Sequence, residues 1–380
     1  MMARKESKST TRKPDWTPDD AGDAFATRIV PGVGAAAAGA TPPVPPNAAE
    51  HPARRPLTTD EYVAGVLAGD RAVLARAITL IESNAPAHFE QAQDVLRRLL
   101  PHSGRAIRLG VTGVPGAGKS TLIEALGVRL IERSHKVAVL AVDPSSSLSR
   151  GSILGDKTRM ELLGRKSNAF IRPSPAGGVL GGVARKTRET MLVCEAAGFD
   201  VVIVETVGAG QNEVTVRSMV DFFLVVLIPG GGDELQGIKK GIVELADAIA
   251  INKADGENKP RAEAARAEYN RALHYLTSPT EGWRPRAYTC SALTGEGIDA
   301  LWDVVLRFHA RAAETGALDA RRREQSREWL HAIIDEQLRA LFYDRPAVRA
   351  ALPGIEAAVM DGTLPPAAAA RRLLALLESK

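Results

Sequence analysis

The sequence predicts an α/β fold with a mostly parallel central sheet. Apolar runs alternate with helical stretches over roughly 200 residues, as they do when helices cover both faces of such a sheet. Several runs are rich in Val and Ile without polar alternation, which is typical of buried parallel strands. The first run leads directly into a glycine-rich turn and a helix start. The predicted strands are residues 108–112, 137–142, 169–172, 201–205, 222–228, 248–252 and 286–290.

The glycine-rich turn carries the most specific motif in the chain. Residues 107–122 read I-R-L-G-V-T-G-V-P-G-A-G-K-S-T-L and match the pattern G-x-x-x-x-G-K-S/T. Glycines let backbone N–H groups approach phosphate oxygens without obstruction by a Cβ, and the following helix adds its positive N-terminal end. The alternative is a glycine-rich turn that matches by chance, which the flanking strand and helix disfavour. The motif therefore predicts a P-loop NTPase fold with a bound nucleotide.

The P-loop pattern also predicts individual roles. We expect Lys119 to contact the β- and γ-phosphates and the Ser120 hydroxyl to bind Mg²⁺. The residues predicted to contact the phosphates are Gly113, Val114, Pro115, Gly116, Ala117, Gly118, Lys119, Ser120 and Thr121.

Acidic residues near the ends of two later strands are candidate magnesium ligands. Asp143 and Asp156 follow the second predicted strand, and Glu205 ends the fourth, where a Walker B acid lies. A carboxylate near a triphosphate is useful on Mg²⁺ or its water, because the ion offsets the repulsion between the two anions. The alternatives are a helix-capping role for either aspartate and a glutamate that ends the strand by chance. Lys119, Asp156 and Glu205 are the candidate catalytic residues.

Two glycine-containing loops are candidate switches. The fourth predicted strand ends in E-T-V-G-A-G-Q, where the Gly208 N–H is placed to contact the γ-phosphate. A loop with that contact is ordered by the triphosphate and released after hydrolysis. The fifth predicted strand is followed by P-G-G-G-D-E-L-Q-G-I-K-K-G, which contains Gln236 and Lys239. This second loop is either a plain flexible connection or an element that reports the nucleotide state to a partner.

The sixth and seventh predicted strands end in motifs for a guanine base. Asn252, Lys253 and Asp255 form N-K-A-D, and the Asp255 carboxylate can accept hydrogen bonds from guanine N1–H and the exocyclic amine. Adenine presents an acceptor at N1 and is rejected by such a group. Downstream, Ser291, Ala292 and Leu293 form an S-A-L turn whose backbone N–H groups point to guanine O6. N-K-x-D alone is a common tetrapeptide, but its combination with the P-loop predicts a guanine nucleotide.

Composition excludes several other classes. The chain has 380 residues, 45% of them hydrophobic, and a net charge of +4 spread along the sequence, so we expect neither a basic nucleic-acid face nor a membrane partner. Cys194 and Cys290 lack the spacing of a disulfide framework or a metal site. Apolar runs are shorter than a membrane span, and no signal peptide is evident. These features predict a cytoplasmic protein with ordinary thiols.

The chain divides into four predicted segments. Residues 1–56 form a polar, Ala/Pro-rich tail that we expect to be disordered, although a transit peptide is an alternative because Arg, Lys, Ser and Thr crowd its start. Residues 57–104 have helical periodicity and form a small module. Its first helix is predicted from the capping-box spacing of Thr58 and Glu61, the second is expected to start at Asp70 and the third near Pro86. Residues 105–311 form the P-loop domain. Residues 312–380 are helical again and carry two apolar stripes, Leu330, Ile333, Ile334, Leu338, Leu341 and Phe342, and Leu364, Ala367, Ala368, Leu373, Leu374 and Leu377.

Taken together, these motifs resemble the MeaB/ArgK family of P-loop GTPases, chaperones of adenosylcobalamin-dependent methylmalonyl-CoA mutase. The resemblance covers residues 57–380 and rests on V-T-G-V-P-G-A-G-K-S-T, V-D-P-S-S, G-D-K-T-R-M, E-T-V-G-A-G-Q-N-E, P-G-G-G-D-E-L-Q-G-I-K-K-G and N-K-A-D. It implies that Lys119, Ser120, Asp143, Asp156 and Glu205 lie at phosphate and magnesium positions, and that the loop around Lys239 is an additional switch. It also implies a homodimer joined through the C-terminal arm, with GTP or GDP and Mg²⁺ as ligands and an acyl-CoA mutase as partner.

Two other functions are alternatives at the level of the sequence. Older descriptions of the family imply a kinase associated with arginine/ornithine transport, but the chain has neither a protein-kinase catalytic loop nor a membrane span. A metallochaperone GTPase for another metal centre shares the fold and the dimer habit. That function requires Cys or His ligands near the P-loop, and none has suitable spacing.

Overall fold

The computed structural model describes residues 55–142, 160–173, 180–206, 212–230, 240–276, 278 and 280–377. In this part of the chain seven strands form one sheet in the order β3-β2-β4-β1-β5-β6-β7, and every pairing is parallel. The strands are β1 Ile107–Gly113, β2 Val137–Val142, β3 Ala169–Pro173, β4 Val201–Thr206, β5 Phe222–Leu227, β6 Ala248–Ile251 and β7 Ala287–Thr289. The predicted α/β class and each predicted strand are confirmed, with ends that differ by a single residue at most.

Helices connect the strands and extend the chain at both ends. They are α1 Thr59–Leu67, α2 Arg71–Glu82, α3 Pro86–Leu99, α4 Lys119–Glu132, α5 Glu161–Gly164, α6 Leu180–Ala196, α7 Asn212–Arg217, α8 Lys240–Glu244, α9 Lys259–His274, α10 Ile298–Glu314, α11 Ala317–Tyr343, α12 Pro346–Met360 and α13 Pro366–Ala375. None of the described helices combines the length and the apolar character that a membrane crossing requires.

The two faces of the sheet carry separate cores because successive side chains of a strand point to opposite sides. In β2, Val137 and Val139 pack with α4 and α10, whereas Ala138, Leu140 and Val142 pack with α6 and the N-terminal helices. All six side chains of β2 are buried, as are those of β4 and β5. Helices therefore cover both faces, and the loops gather at the two ends of the strands. Here an edge of the sheet means the row of carboxyl ends or the row of amino ends of its strands.

The N-terminal helices begin at the residues that the sequence indicated. Thr58 caps α1 through a reciprocal capping box with Glu61, and the Asp70 carboxylate caps α2 by accepting from the N–H groups of Ala72 and Val73. α3 begins at Pro86. The apolar stripes of these helices share one continuous core with the sheet.

Buried ion pairs lie beneath the amino ends of the strands, opposite the P-loop. Asp221 directly precedes β5 and accepts from the Arg108 N–H (2.9 Å) and from the Arg322 guanidinium (2.6 and 2.8 Å). Asp247 directly precedes β6 and accepts from the Phe223 N–H (2.9 Å). Arg321 also contacts Asp247, so the first turns of α11 are attached to this edge.

Beyond these contacts α11 presents apolar side chains to solvent. Leu330, Leu338 and Leu341 are 56%, 58% and 68% exposed, and Ile334 is 42% exposed. These residues recur at helical spacing on one side of the helix. The apolar stripe predicted for the arm is therefore a surface of the chain as described.

We predict that Asp221→Ala lowers the free energy of unfolding by about 3–5 kcal/mol, because the Arg322 guanidinium and the Arg108 N–H lose a buried acceptor. Urea denaturation measures the loss. The control is Asp299→Ala, which removes a half-exposed partner of Arg129 and Arg133 and is expected to cost no more than about 1 kcal/mol. Equal losses in the two variants would contradict the buried role of Asp221.

Candidate functional site

The site begins where β1 ends in the glycine-rich turn. Gly113 has φ +150°, and a Cβ at this position would lie 2.0 Å from the Val226 carbonyl oxygen of β5. Gly116 and Gly118 have φ +77° and +81°, in the left-handed region that favours glycine. α4 begins immediately afterwards at Lys119, so its N-terminal N–H groups face the turn. The turn has the backbone that a phosphate-binding loop needs.

The Lys119 ammonium lies against this turn. Its Nζ donates to the carbonyl oxygens of Gly113 (2.9 Å) and Val114 (3.2 Å), and the residue is 8% exposed. A buried ammonium beside the N-terminal end of a helix makes the turn electropositive. The structure thus brings together the P-loop residues that the sequence predicted.

Ser120, in the first turn of α4, lies beside Glu205 at the carboxyl end of β4. The Ser120 hydroxyl donates to Glu205 Oε1 at 2.8 Å, and Glu205 is buried. β1 pairs with β4 in the register that sets Val111 opposite Glu205, which carries the acid to the start of the turn. Behind it the hydroxyls of Thr112 and Thr206 are 2.8 Å apart. Two hard oxygen donors therefore meet beside the P-loop.

Asn252 links the P-loop to the loop after β7. Its Nδ2 donates to the Ala117 carbonyl oxygen (2.8 Å), and its Oδ1 accepts from the Ala292 N–H (3.0 Å). The residue is 1% exposed, so both bonds are shielded from water. The N-K-A-D motif predicted that Asn252 lies at the site. It did not predict that the side chain spans two loops.

Asp255 and Ser291 form the other half of the predicted base site. The Ser291 hydroxyl donates to Asp255 Oδ2 at 2.5 Å and accepts from the Thr294 N–H at 3.1 Å. This leaves the second oxygen of Asp255 as an acceptor for a ligand. Lys253 has φ +59° and is exposed, and the Leu293 side chain is 83% exposed. The N-K-A-D and S-A-L residues are adjacent in space. The Ser291 N–H donates to the Glu296 carbonyl oxygen and the Ala292 N–H to Asn252, so two of the N–H groups predicted to face guanine O6 are engaged within the protein.

Cys290 is buried behind the base site as a thiol. Its Sγ lies 3.8 Å from Asn252 Oδ1, and burial raises its pKa to about 12. Burial also raises the pKa of Cys194, which lies in α6. Since the thiolate is the metal-binding form, neither cysteine has the character of a metal ligand.

Arg129 is a supporting residue that sequence reasoning missed. It lies on α4, donates to the Gly295 carbonyl oxygen at 3.1 Å and pairs with Asp299. The helix that starts at the P-loop thereby holds the S-A-L loop as well. Arg129 and Gly295 are 166 residues apart in the chain, and no local pattern announces the contact.

Asp143, Asp156, Gly208, Gln236 and Lys239 lie outside the described residues. Their roles on magnesium, the γ-phosphate and a partner stay predictions.

A scan against family models matches residues 74–347 to the family described as methylmalonyl-CoA mutase-associated GTPase MeaB. This match spans most of the chain. The chain belongs to the MeaB family. The predicted family is therefore confirmed, and with it the expectation of a GTPase fold.

Relatives extend the match. A putative GTPase of Caulobacter vibrioides is 57% identical over 84% of this chain and 98% of its own length. GTPase ArgK of Escherichia coli is 48% identical over 85% and 98%. A mouse protein named methylmalonic aciduria type A homolog, mitochondrial, is 45% identical over 84% and 80%. A solved structure of a LAO/AO transport system kinase is 41% identical, covers 84% of this chain and 98% of its own, and superposes with a TM-score of 0.68.

We predict that Gly113→Ala destabilises the protein more than Gly116→Ala does. Both variants place a Cβ at positive φ, which costs about 1–2 kcal/mol. At Gly113 the new Cβ also meets the Val226 carbonyl, and overpacking adds about 1–3 kcal/mol, whereas nothing lies within 4 Å at Gly116. Urea denaturation compares the two. Equal costs would show that the close approach of β1 to β5 is not a constraint.

Proposed function

We propose that this protein is a GTPase that acts as a chaperone of an adenosylcobalamin-dependent acyl-CoA mutase of the methylmalonyl-CoA type. In this proposal, GTP hydrolysis times the loading and protection of the cobalamin cofactor on the mutase. The observation that carries the proposal is the Asn252 side chain, which joins a P-loop and a guanine-type loop in a chain of the MeaB family.

Guanine selectivity is assigned to Asp255. One carboxylate oxygen accepts the Ser291 hydroxyl, which orients the group, and the other is free of that bond. A carboxylate matches the two N–H donors on the guanine edge and repels the acceptor at adenine N1. The Ala292 N–H is engaged by Asn252, so the neighbouring backbone of the S-A-L turn is held in place beside the base.

Magnesium fits the residues beside the P-loop. The Ser120 hydroxyl and the Glu205 carboxylate are oxygen ligands of the kind that Mg²⁺ prefers, and they lie 2.8 Å apart at the end of the triphosphate-binding turn. We assign Ser120 to the metal and Glu205 to the metal or its water, with Asp143 and Asp156 as further candidates from the sequence. A bound Mg²⁺ would neutralise charge on the phosphates.

In this assignment the protein's own groups bind and orient the phosphates. The Lys119 ammonium and the backbone N–H groups of the non-proline residues in 113–121 neutralise and hold the phosphate oxygens, since they lie on the same turn. Glu205 is buried beside them and, with Asp156, is the candidate to orient the attacking water. Among the described residues, no arginine side chain donates to the P-loop turn. Transition-state charge is then incompletely held, and we expect slow hydrolysis without a partner.

The mutase partner is inferred from the family. Its description names association with methylmalonyl-CoA mutase, and the mouse relative is named for methylmalonic aciduria. Gln236 and Lys239 are proposed to contact the mutase. Two copies of the chain are proposed to associate through the arm, because four exposed apolar residues of α11 lie on one stripe. The buried free thiols fit a reducing compartment such as the cytoplasm.

Two alternative functions have less support. The E. coli relative named ArgK and the LAO/AO kinase structure belong with the same set of relatives, so their names do not define a separate class. A metallochaperone for another metal centre would use thiolate or imidazole ligands near the P-loop. The thiol beside the site, Cys290, instead donates a hydrogen bond to Asn252 Oδ1, and burial raises the pKa of this thiol.

We predict that Asp255→Asn weakens GDP binding by about 10- to 100-fold, because a buried donor–acceptor mismatch costs about 1–3 kcal/mol. Xanthosine diphosphate, which has an oxygen in place of the guanine amine, is expected to bind the variant better than the wild type. Calorimetry measures both affinities. The control is Glu257→Gln, which removes the charge of an exposed carboxylate on the same loop and should bind GDP as the wild type does. A wild type that binds ADP as tightly as GDP would exclude the guanine assignment.

The mutase assignment is tested by steady-state GTP turnover with and without methylmalonyl-CoA mutase from the same source. We expect the mutase to accelerate hydrolysis, and Lys239→Ala to reduce that acceleration while basal turnover stays near the wild-type rate. Lys136→Ala, an exposed lysine before β2 at the opposite edge of the sheet, is the matched control. A mutase that neither binds nor changes turnover would contradict the chaperone function and leave only the GTPase.

A further inference from the structure

Two short helices return the chain from the nucleotide edge of the sheet to its opposite edge. α7 (Asn212–Arg217) follows β4 and residues 207–211, and α8 (Lys240–Glu244) follows β5 and residues 231–239. The segments before these helices are the two predicted switches. After the helices the chain enters β5 and β6 at the edge that carries Asp221 and Asp247. The far ends of α7 and α8 therefore meet away from the nucleotide.

Arg217, the last residue of α7, makes a side-chain link between the two helices. Its Nε donates to the Leu245 carbonyl oxygen, just after α8, at 3.1 Å. Its guanidinium lies 3.8 Å from Asp247 Oδ1, at the start of β6. The Arg217 side chain is 13% exposed and that of Asp247 is fully buried, so water screens this contact little. Burial lowers the pKa of Arg217, and the charge of Asp247 opposes that shift.

The exit of α7 is held on its other sides by α6 and α11. Arg188 on α6 donates to the Ser218 carbonyl oxygen, to Ser218 Oγ and to the Gln325 carbonyl oxygen. Gln325 Nε2 on α11 donates to the Val220 carbonyl oxygen at 2.8 Å. These contacts attach the end of α7 to rigid helices. In a short element anchored at one end, a displacement at the start of α7 would reach Arg217 as a rotation.

We propose that Arg217 is a positioning residue that couples α7 to α8, so that the nucleotide state at the end of β4 changes the stability of α8. The proposal rests on the proposed GTP binding and adds a route between the two switches. That route runs through the edge of the sheet opposite the nucleotide. It gives Arg217 a role in how the chain responds to GTP while keeping it outside the site that binds GTP.

Hydrogen exchange measured by mass spectrometry tests the coupling on the full chain without a partner. Exchange is compared with GDP and with a non-hydrolysable GTP analogue, for peptides that cover residues 212–217 and 240–245. In the wild type we expect the amide exchange rate of each helix to differ between the two nucleotides by about fivefold or more. Fivefold corresponds to the lower end of typical coupling free energies. In Arg217→Met we expect the ratio of exchange rates with the two nucleotides to stay at its wild-type value in α7. In α8 we expect this ratio to fall to about one.

A merely structural role for Arg217 predicts a different result. It would raise exchange in α8 equally with both nucleotides and leave their ratio unchanged, which would overturn the proposal. The same holds if α8 in the wild type does not respond while α7 does. If neither helix responds, and calorimetry shows no GTP binding, the proposed function fails instead of the coupling.

Two further variants control for folding. Arg217→Lys retains a positive charge near Asp247 but lacks the Nε donor for Leu245, and we expect a reduced ratio in α8. It replaces Arg217→Met if that variant does not fold. Arg327→Met removes an exposed arginine of α11 that pairs only locally with Glu324, and it should leave both ratios at wild-type values. A reduced α8 ratio in Arg327→Met would show that the effect is not specific to Arg217.

Discussion

The candidate site depends on the buried amide of Asn252. One side chain donates to the P-loop at Ala117 and accepts from the S-A-L loop at Ala292. In the proposed function, phosphates and a base are recognised by loops that follow different strands. A shielded two-way hydrogen bond holds them at one separation, so that a ligand meets a site that is already formed.

The candidate site and the buried ion pairs lie at opposite ends of the strands. At the carboxyl ends of the strands lie Lys119, Ser120 and Glu205, where N–H groups, an ammonium and oxygen ligands converge. At the amino ends lie the buried aspartates before β5 and β6, which bind arginines of α11. At this second edge the C-terminal arm is joined to β5 and β6, which follow α7 and α8 in the chain. A parallel sheet permits this division because all of its strands point the same way.

Much of this architecture was predictable from local sequence. The strands were found from uninterrupted Val and Ile runs, and the P-loop from spacings that its backbone requires. The starts of α1 and α2 followed from the capping residues Thr58 and Asp70. The long-range contacts were not predictable. Asp221 and Arg322 are 101 residues apart, and Asn252 and Ala117 are 135 apart. Such pairs form only when the fold brings the strands together, and a single sequence contains no periodic or spacing signal for them.

The central claim is that Asn252 unites the phosphate and base loops, and GDP binding to Asn252→Asp tests it most directly. The substitution keeps the shape of the side chain but removes the donor to the Ala117 carbonyl and sets a carboxylate against it. Calorimetry should show GDP affinity reduced at least about tenfold, the equivalent of one lost buried hydrogen bond. A folded Asn252→Asp protein that binds GDP as tightly as the wild type would contradict the claim.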